Sequence, residues 1–414
     1  MSRRRTRKKP ANDPNLMKII VAICVMLGAV LVAARFVPWD AHRSEGAEAA
    51  SGGELDRARE LIRDGAYAEA RALIEPILSA KSNPAGVPDA MVLLADIHVA
   101  AGQPEEARSL LQQVIDQYPG STVRPQAMLR LAAVLREDGQ QDEATTLLRR
   151  VEQETPPEIR ADALVALGRE SRAAGDLLAA RDQFARAAAD AAWGSPAFDE
   201  AIEALGAANV DLIFSPGEVP GSKVYVVEPG DNLTAIGIKL NTTLGLLMRA
   251  NNIDDPARLQ VGQRLKWTPK DFHIIIDRRH CLLYLMDKDG IFKRYRVGLG
   301  KPGFETTLGK YRIGNKEKDP TWHKQGEEPI PPGDPRNELG TRWMPLVPVE
   351  EGLPTDLGIH GTIAPATIGY HSSAGCARML PADVEELYDL VVRSTPVEIV
   401  EEYIPDGLVT AAAS

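Results

Sequence analysis

Apolar positions change their rhythm four times along the chain. Residues 19–34, IIVAICVMLGAVLVAA, form an unbroken uncharged run. Between residues 54 and 214 apolar side chains recur at helical spacing, interrupted by glycines at regular intervals. Over 225–267 the rhythm shortens. YVV reads as a strand, Leu233, Ile236 and Leu240 fall on one helix, Leu244, Leu247 and Met248 on a second, and QRLKW returns as a strand. From residue 272 the chain reads as β-rich. HIIID, the segment that includes Cys281, and GKYRIG are strands, and Asp289-Gly290 is expected to supply the positive-φ pair of a hairpin turn. PADVEELYDLVV then forms a helix with Val384, Leu387, Tyr388 and Val391 as its apolar stripe, and PVEIV is a last strand.

Charge sharpens the first of these regimes. Residues 1–18 carry a net +6, so the remainder of a chain whose total is −10 carries −16. An acidic body excludes nucleic acid as the main partner, because phosphate contacts need clustered basic side chains. The apolar run would rise about 24 Å as a helix, extended toward the interface by Phe36, Val37 and Trp39. The nearest small-residue cleavage pattern, Ala47-Glu48-Ala49, lies too far beyond it for a signal peptide. A transmembrane helix at 19–39 is therefore expected. The basic tail 1–18 would lie in the cytoplasm and the body in the periplasm or cell-wall space of a bacterium, with 40–53 a flexible linker.

The helical region repeats itself. Gly65, Gly102, Gly139 and Gly175 each precede an alanine by five residues (Ala70, Ala107, Ala144 and Ala180), and the units are 37, 37 and 36 residues apart. A glycine turn followed by a helix whose alanine admits a close neighbour is the expected unit. The pattern, in DGAYAEARALI, AGQPEEARSLL, DGQQDEATTLL and AGDLLAARDQF, resembles the tetratricopeptide repeat. An all-α solenoid over 54–214 follows, with a concave face for an unidentified protein partner.

After the Pro/Gly boundary SPGEVPGS, residues 223–268 resemble the LysM module through PGDNL, RANNI and LQVGQRL. The resemblance implies a βααβ fold that binds the N-acetylglucosamine backbone of peptidoglycan or chitin. Its groove would lie between Gly230, Asp231, Asn232 and Leu233 on one side and Asn251, Asn252 and Ile253 on the other. Asp231 is equally suited to cap the first helix.

The segment 359–379, IHGTIAPATIGYHSSAGCARM, carries the reactive candidates. SSAG ahead of Cys376 has little side-chain bulk, so a carbonyl can approach the backbone, with the amides of Gly375 and Cys376 aimed at a developing oxyanion. A histidine in reach would act as the base that a thiol nucleophile needs. Taken alone, Cys376 could equally be a buried structural cysteine. The three cysteines lack metal-ligand spacing, so neither a metal nor a cofactor is expected.

His360-Gly361, a gap of 16 residues from His360 to Cys376, and Ser373-Ala374-Gly375-Cys376-Ala377-Arg378 resemble the L,D-transpeptidase catalytic domain of the YkuD type. VGLGKPGFETTLGKYRI and NELGTRWM support the likeness. It implies a mainly-β domain over 271–402, followed by a tail at 403–414. Cys376 would form a thioester with a peptidoglycan tetrapeptide stem, releasing D-alanine and passing the acyl group to an amine or to water. By the same resemblance His360 is the base, Gly375 an oxyanion donor, Ser373 an orienting group, and Arg378 a partner for a substrate carboxylate. Gly361, His371 and Trp322 are expected at the substrate. Trp322 sits in the polar 315–341 stretch; a loop of that length in a compact domain is usually functional or disordered, and whether it is a lid stays open at this point. Two departures stand out: Ala374 replaces the family's second histidine, and TTLG (Thr306–Gly309) replaces its Thr-Pro-Thr-Gly turn. The alternative they leave open is a catalytically impaired wall-bound scaffold.

Overall fold

A computed structural model of the chain describes residues 51–79, 86–323, 326 and 328–405. The anchor expected at 19–39 lies outside the described residues. Among the described residues no helix is long and apolar enough to cross a membrane. The chain divides into two compact units, at residues 164 and 165.

The first unit is built of helical hairpins: α1 (Ser51–Arg63), α2 (Tyr67–Ser79), α3 (Val87–Ala100), α4 (Pro104–Gln117), α5 (Arg124–Glu137), α6 (Gln141–Glu154) and the start of α7 (Pro157–Ala173). Gly65, Gly102 and Gly139 end α1, α3 and α5 in the left-handed region, at φ 77°, 71° and 79°. Each is followed by the same six-to-one hydrogen bond: Ala66 N–H to Leu61 O, Gln103 N–H to His98 O, and Gln140 N–H to Leu135 O, at 2.8–2.9 Å. This geometry satisfies carbonyls that the helix end would otherwise orphan, and only glycine adopts it without steric penalty. Five residues on, Ala70, Ala107 and Ala144 are fully buried, at 0% exposure.

The second unit opens with the same device. Gly175 (φ 82°) ends α7, and Ala180 is buried on α8 (Leu177–Asp190). Next, α9 (Pro196–Phe214) packs on the catalytic sheet. Val210 and Ile213 belong to the core of that sheet, and Asn209 Nδ2 donates to Phe292 O at 2.8 Å. The compositional break at 215–222 falls between the end of α9 and the strand that starts at Lys223. Lys266, beyond it, donates from Nζ to the carbonyls of Leu212 (3.1 Å) and Ser215 (2.5 Å).

The βααβ module consists of β1 (Lys223–Val226), α10 (Leu233–Lys239), α11 (Leu244–Ala250) and β2 (Arg264–Trp267), with β1 antiparallel to β2. Val227, Leu233, Ile236, Leu247 and Leu265 fill its core. Its second helix docks on α12 (Pro381–Leu390). Thr243 Oγ1 donates to Asp389 O, Arg249 pairs with the Asp389 carboxylate at 3.4 Å, and Gly245 leaves no room for a Cβ beside that carboxylate.

The catalytic domain contributes β3 (His273–Asp277), β4 (Leu282–Asp287), β5 (Gly290–Arg296), β6 (Leu299–Gly300), β7 (Gly309–Ile313), β8 (Glu317–Lys318), β9 (Arg342–Pro348), β10 (Gly358–His360), β11 (His371–Ser373), β12 (Ala377–Arg378) and β13 (Pro396–Val400). Its main sheet runs β12-β10-β9-β7-β13-β3-β4-β5, with β8 beside β9. Two local expectations change. Cys281 is not in a strand but in the turn before β4, buried, at φ 54°. In the β4–β5 hairpin only Gly290 takes positive φ, because the turn is Lys288-Asp289 and Gly290 already belongs to β5.

Candidate active site

Two adjacent parallel strands at one edge of the sheet carry the candidate pair, His360 and Cys376. β10 pairs with β12 in the register Ile359↔Ala377 and His360↔Arg378, which sets Cys376 beside Gly358. His360 and Cys376 therefore share a sheet face, one diagonal step apart, about 8 Å between Cα atoms from strand spacing and rise. The imidazole of His360 is 4% exposed, whereas Cys376 keeps part of its surface open between buried Gly375 and Ala377.

A polar knot holds the cysteine. Gly375 turns the chain at φ 122°. Its carbonyl accepts from Thr306 Oγ1 at 2.7 Å, and that hydroxyl in turn accepts from Gly300 N–H at 2.9 Å. Ser373 Oγ donates to Cys376 O at 2.7 Å and accepts from Gly375 N–H at 3.1 Å. Two expected roles change here. The Gly375 amide, expected at the oxyanion, is spent on Ser373. Ser373 orients the cysteine loop and has no hydrogen bond to His360 among the described residues. His371, exposed on β11, donates from Nδ1 to Gly300 O at 3.2 Å, tying into the same knot from its other side.

The histidine is held from three directions. Its Nδ1–H donates to Gly361 O at 2.8 Å, which leaves the lone pair on Nε2. The carbonyls of Glu338 and Leu339 also favour its protonated form. The Trp343 indole lies against the ring, with centroids 5.7 Å apart, and covers Gly358, where a Cβ would overlap it. Gly340, at φ 66°, brings the 337–341 turn within van der Waals contact of Gly361. The 337–341 turn is consequently a wall of the site. Asn337 Nδ2 donates to the carbonyls of Pro320, Ile330 and Pro331, and Trp322 is bridged to Ile330 by a pair of backbone hydrogen bonds of 2.8 and 2.9 Å. Arg378 is occupied within the protein: its guanidinium donates to Glu338 Oε2 at 2.8 Å, and its Nε is buried without a partner.

Burial dominates the titration of both groups. It lowers His360 to about 4, with the Arg378 charge adding to the effect and the facing carbonyls opposing it. It raises the Cys376 thiol to about 11, opposed by the Gly358 amide, reinforced by the Asp356 carboxylate and opposed again by Arg378. The resting pair is thus a neutral thiol and a neutral imidazole. The Cys376 thiol faces Asp356 O at 3.7 Å in this state. Among the described residues no cluster of metal-ligating side chains occurs.

The LysM-like groove is likewise partly committed. Asn232, not Asp231, caps α10 by accepting from Ala235 N–H, while Asp231 accepts from Tyr225 Oη and Glu228 N–H. The Asn251 side chain ties Leu247 and Lys266 together through three hydrogen bonds. Gly230 (φ 90°) and Asn252 (φ 52°) shape the two loops through their backbones.

Comparison with known proteins places each region. Residues 271–399 match the L,D-transpeptidase catalytic domain, 225–268 the LysM domain, and 14–213 a tetratricopeptide repeat-like domain. A Bacillus licheniformis protein bearing the name L,D-transpeptidase YkuD is 29% identical over 182 residues, spanning 42% of this chain and 98% of that protein. Its Bacillus subtilis namesake is 30% identical over 181 residues, spanning 42% and 97%. A crystal structure of an Enterococcus faecium L,D-transpeptidase aligns at 24% identity over 31% of this chain and 50% of that one, with a TM-score of 0.26. The chain belongs to the YkuD family of L,D-transpeptidases.

Proposed function

We propose that the chain is a membrane-anchored cell-wall enzyme that transfers a peptidoglycan stem acyl group through a thioester on Cys376. The observation that carries this is the arrangement at the β10–β12 edge, where a partly open thiol and a histidine with Nε2 unprotonated lie on one sheet face. The neutral resting pair fits proton transfer during attack better than a preformed ion pair. As sulfur bonds to the carbonyl carbon, His360 Nε2 takes the thiol proton. When the C–N bond breaks, the same proton goes to the departing D-alanine amine. The acceptor amine then attacks the thioester, passes its proton to His360, and the sulfur leaves as thiol when that proton returns. Of the two amides expected at the oxyanion, that of Cys376 serves this purpose.

Arg378 steers a substrate carboxylate from beside Glu338, and Gly361, His371 and Trp322 border the substrate path. The LysM module holds glycan through the backbone of its two loops, at Gly230 and Asn252. The helical repeats dock a protein partner. Tethering the substrate near the thiol raises its local concentration without new catalytic contacts. The knot around Cys376 is complete despite Ala374, which speaks for the active enzyme over the impaired scaffold.

The test is D-alanine release from a disaccharide-tetrapeptide by the full chain, together with the mass of the acyl adduct. Cys376→Ala should lower release at least about a thousandfold and abolish the adduct. Release that persists in that variant removes Cys376 from the chemistry.

A further inference from the structure

The thiol of Cys376 stands between two ends of one strand edge that carry different chemistry. Cys376 lies beside Gly358, and one step toward the C-terminal end His360 and Arg378 are in register. Asp356 comes two residues before Gly358, about 7 Å the other way by strand rise. Its carbonyl accepts from Cys376 Sγ at 3.7 Å, so the sulfur itself leans to that end. Leu357 turns into the core at 6% exposure, whereas Asp356 is exposed. The proposed acyl transfer assigns roles at the His360 end and none at Asp356.

The fold gives the Asp356 side chain nothing to do. Among the described residues its carboxylate caps no turn and pairs with no cation; only its backbone carbonyl is engaged. It also burdens the chemistry beside it. Burial raises the thiol most and the Gly358 amide opposes that, but the two charges that act on the sulfur are the Asp356 carboxylate, which raises it further, and the Arg378 guanidinium, which lowers it. Arg378 is balanced by Glu338 at 2.8 Å, while Asp356 has no counter-ion among the described residues. A carboxylate that holds no neighbour and disfavours the thiolate gains a purpose when a cation docks on it. The cation then neutralises the site as the sulfur and the carbonyl oxygen take on negative charge.

The side of the thiol on which Asp356 lies decides which part of the substrate carries that cation. The departing amine takes its proton from His360 Nε2 and the incoming amine returns one there, so both amines pass at the His360 end. The acyl portion extends the other way, over Asp356. We propose that Asp356 is a specificity residue for the acyl donor: its carboxylate binds an ammonium group on the side chain of the residue whose carbonyl Cys376 attacks. The inference rests on the acyl transfer proposed above and adds the donor class it selects, a stem with a diamino acid at the attacked position.

The test is the rate of acyl-adduct formation on the full chain, read by intact mass. The donors are disaccharide-tetrapeptides with diaminopimelate at the third position, its side-chain amine free or acetylated. The parent protein should prefer the free amine by about three- to tenfold, the range for an exposed charged pair, and the preference should shrink as salt is added. Asp356→Asn should bring the preference to within about twofold of unity, slowing the free donor while the acetylated donor reacts as fast or faster, because the thiol loses an opposing charge. Asp356→Glu, which keeps the charge, should retain a preference. A parent protein that does not distinguish the donors overturns the proposal. So does a preference that persists unchanged in Asp356→Asn, which would come from the bulk of the acetyl group or from another residue. An absence of adduct from both donors removes the acyl transfer itself, and the role of Asp356 falls with it.

Discussion

The helical repeats and the catalytic corner fix their geometry by opposite means. In the repeats every demand is met nearby: the glycine that ends one helix, the bond that closes its last turn, and the alanine that admits the neighbour all fall within a few residues. At the catalytic corner nothing local suffices. Gly375 O is held by a hydroxyl 69 positions away, Trp343 from another strand covers Gly358, and the 337–341 turn closes on Gly361. The repeats should therefore fail by packing, and the corner by misorientation at nearly constant packing.

Thr306→Val offers the sharpest test of that contrast. Valine keeps the volume but orphans Gly300 N–H and Gly375 O, two buried groups whose loss of partners costs about 1–3 kcal/mol each. The cysteine loop should shift, and kcat/KM for D-alanine release should fall on the order of a hundredfold, since small displacements of a nucleophile are expensive. An unchanged rate would mean that the knot is ornamental and that the corner is as local as the repeats.

The complementary change is Ala107→Leu. Ala107 is fully buried in α4, and extra methylenes there force neighbouring helices apart, at about 1–3 kcal/mol. The expected readout is a lower melting temperature for the helical region, with kcat/KM of the second unit within about twofold of the parent. A comparable loss of activity would show that the two regions do not fail separately.

The same contrast explains what could be read from sequence. Gly65, Gly102 and Gly139 announced their turns because the requirement for positive φ is written in one residue. The order of His360 and Cys376 was legible through family resemblance, and the sheet register then brought both to one edge. Glu338, Trp343 and the role of Thr306 were missed, because each acts on a partner reached only after the chain crosses the sheet. A faint signal existed in NELGTRWM, where a carboxylate, a glycine at positive φ and a half-buried tryptophan crowd together in one short stretch. The Gly375 amide and the Asn251 side chain were misjudged for a related reason: sequence shows a donor but not whether a neighbour has already taken it. Asp231 and Asn232 are adjacent and chemically alike, so only backbone geometry could decide which one caps α10.

The smallest expected effect probes the electrostatics of the corner alone. His360 titrates low, at about 4, because burial and then the Arg378 charge disfavour its cation. As the proposed base, His360 should be competent from neutral pH down to that value, so kcat/KM should be flat across mildly acidic pH and fall only as its protonation begins. Glu338 offsets the Arg378 charge through the 2.8 Å contact. Glu338→Gln removes that offset and keeps the backbone carbonyl, so imidazolium becomes harder to form and the acid limb should move to still lower pH, by a fraction of a unit. The plateau rate should change little, because no atom of the reacting pair has moved. A limb that moves upward would mean that Arg378 leaves the site once its partner is gone, and that Glu338 anchors it there rather than balancing its charge.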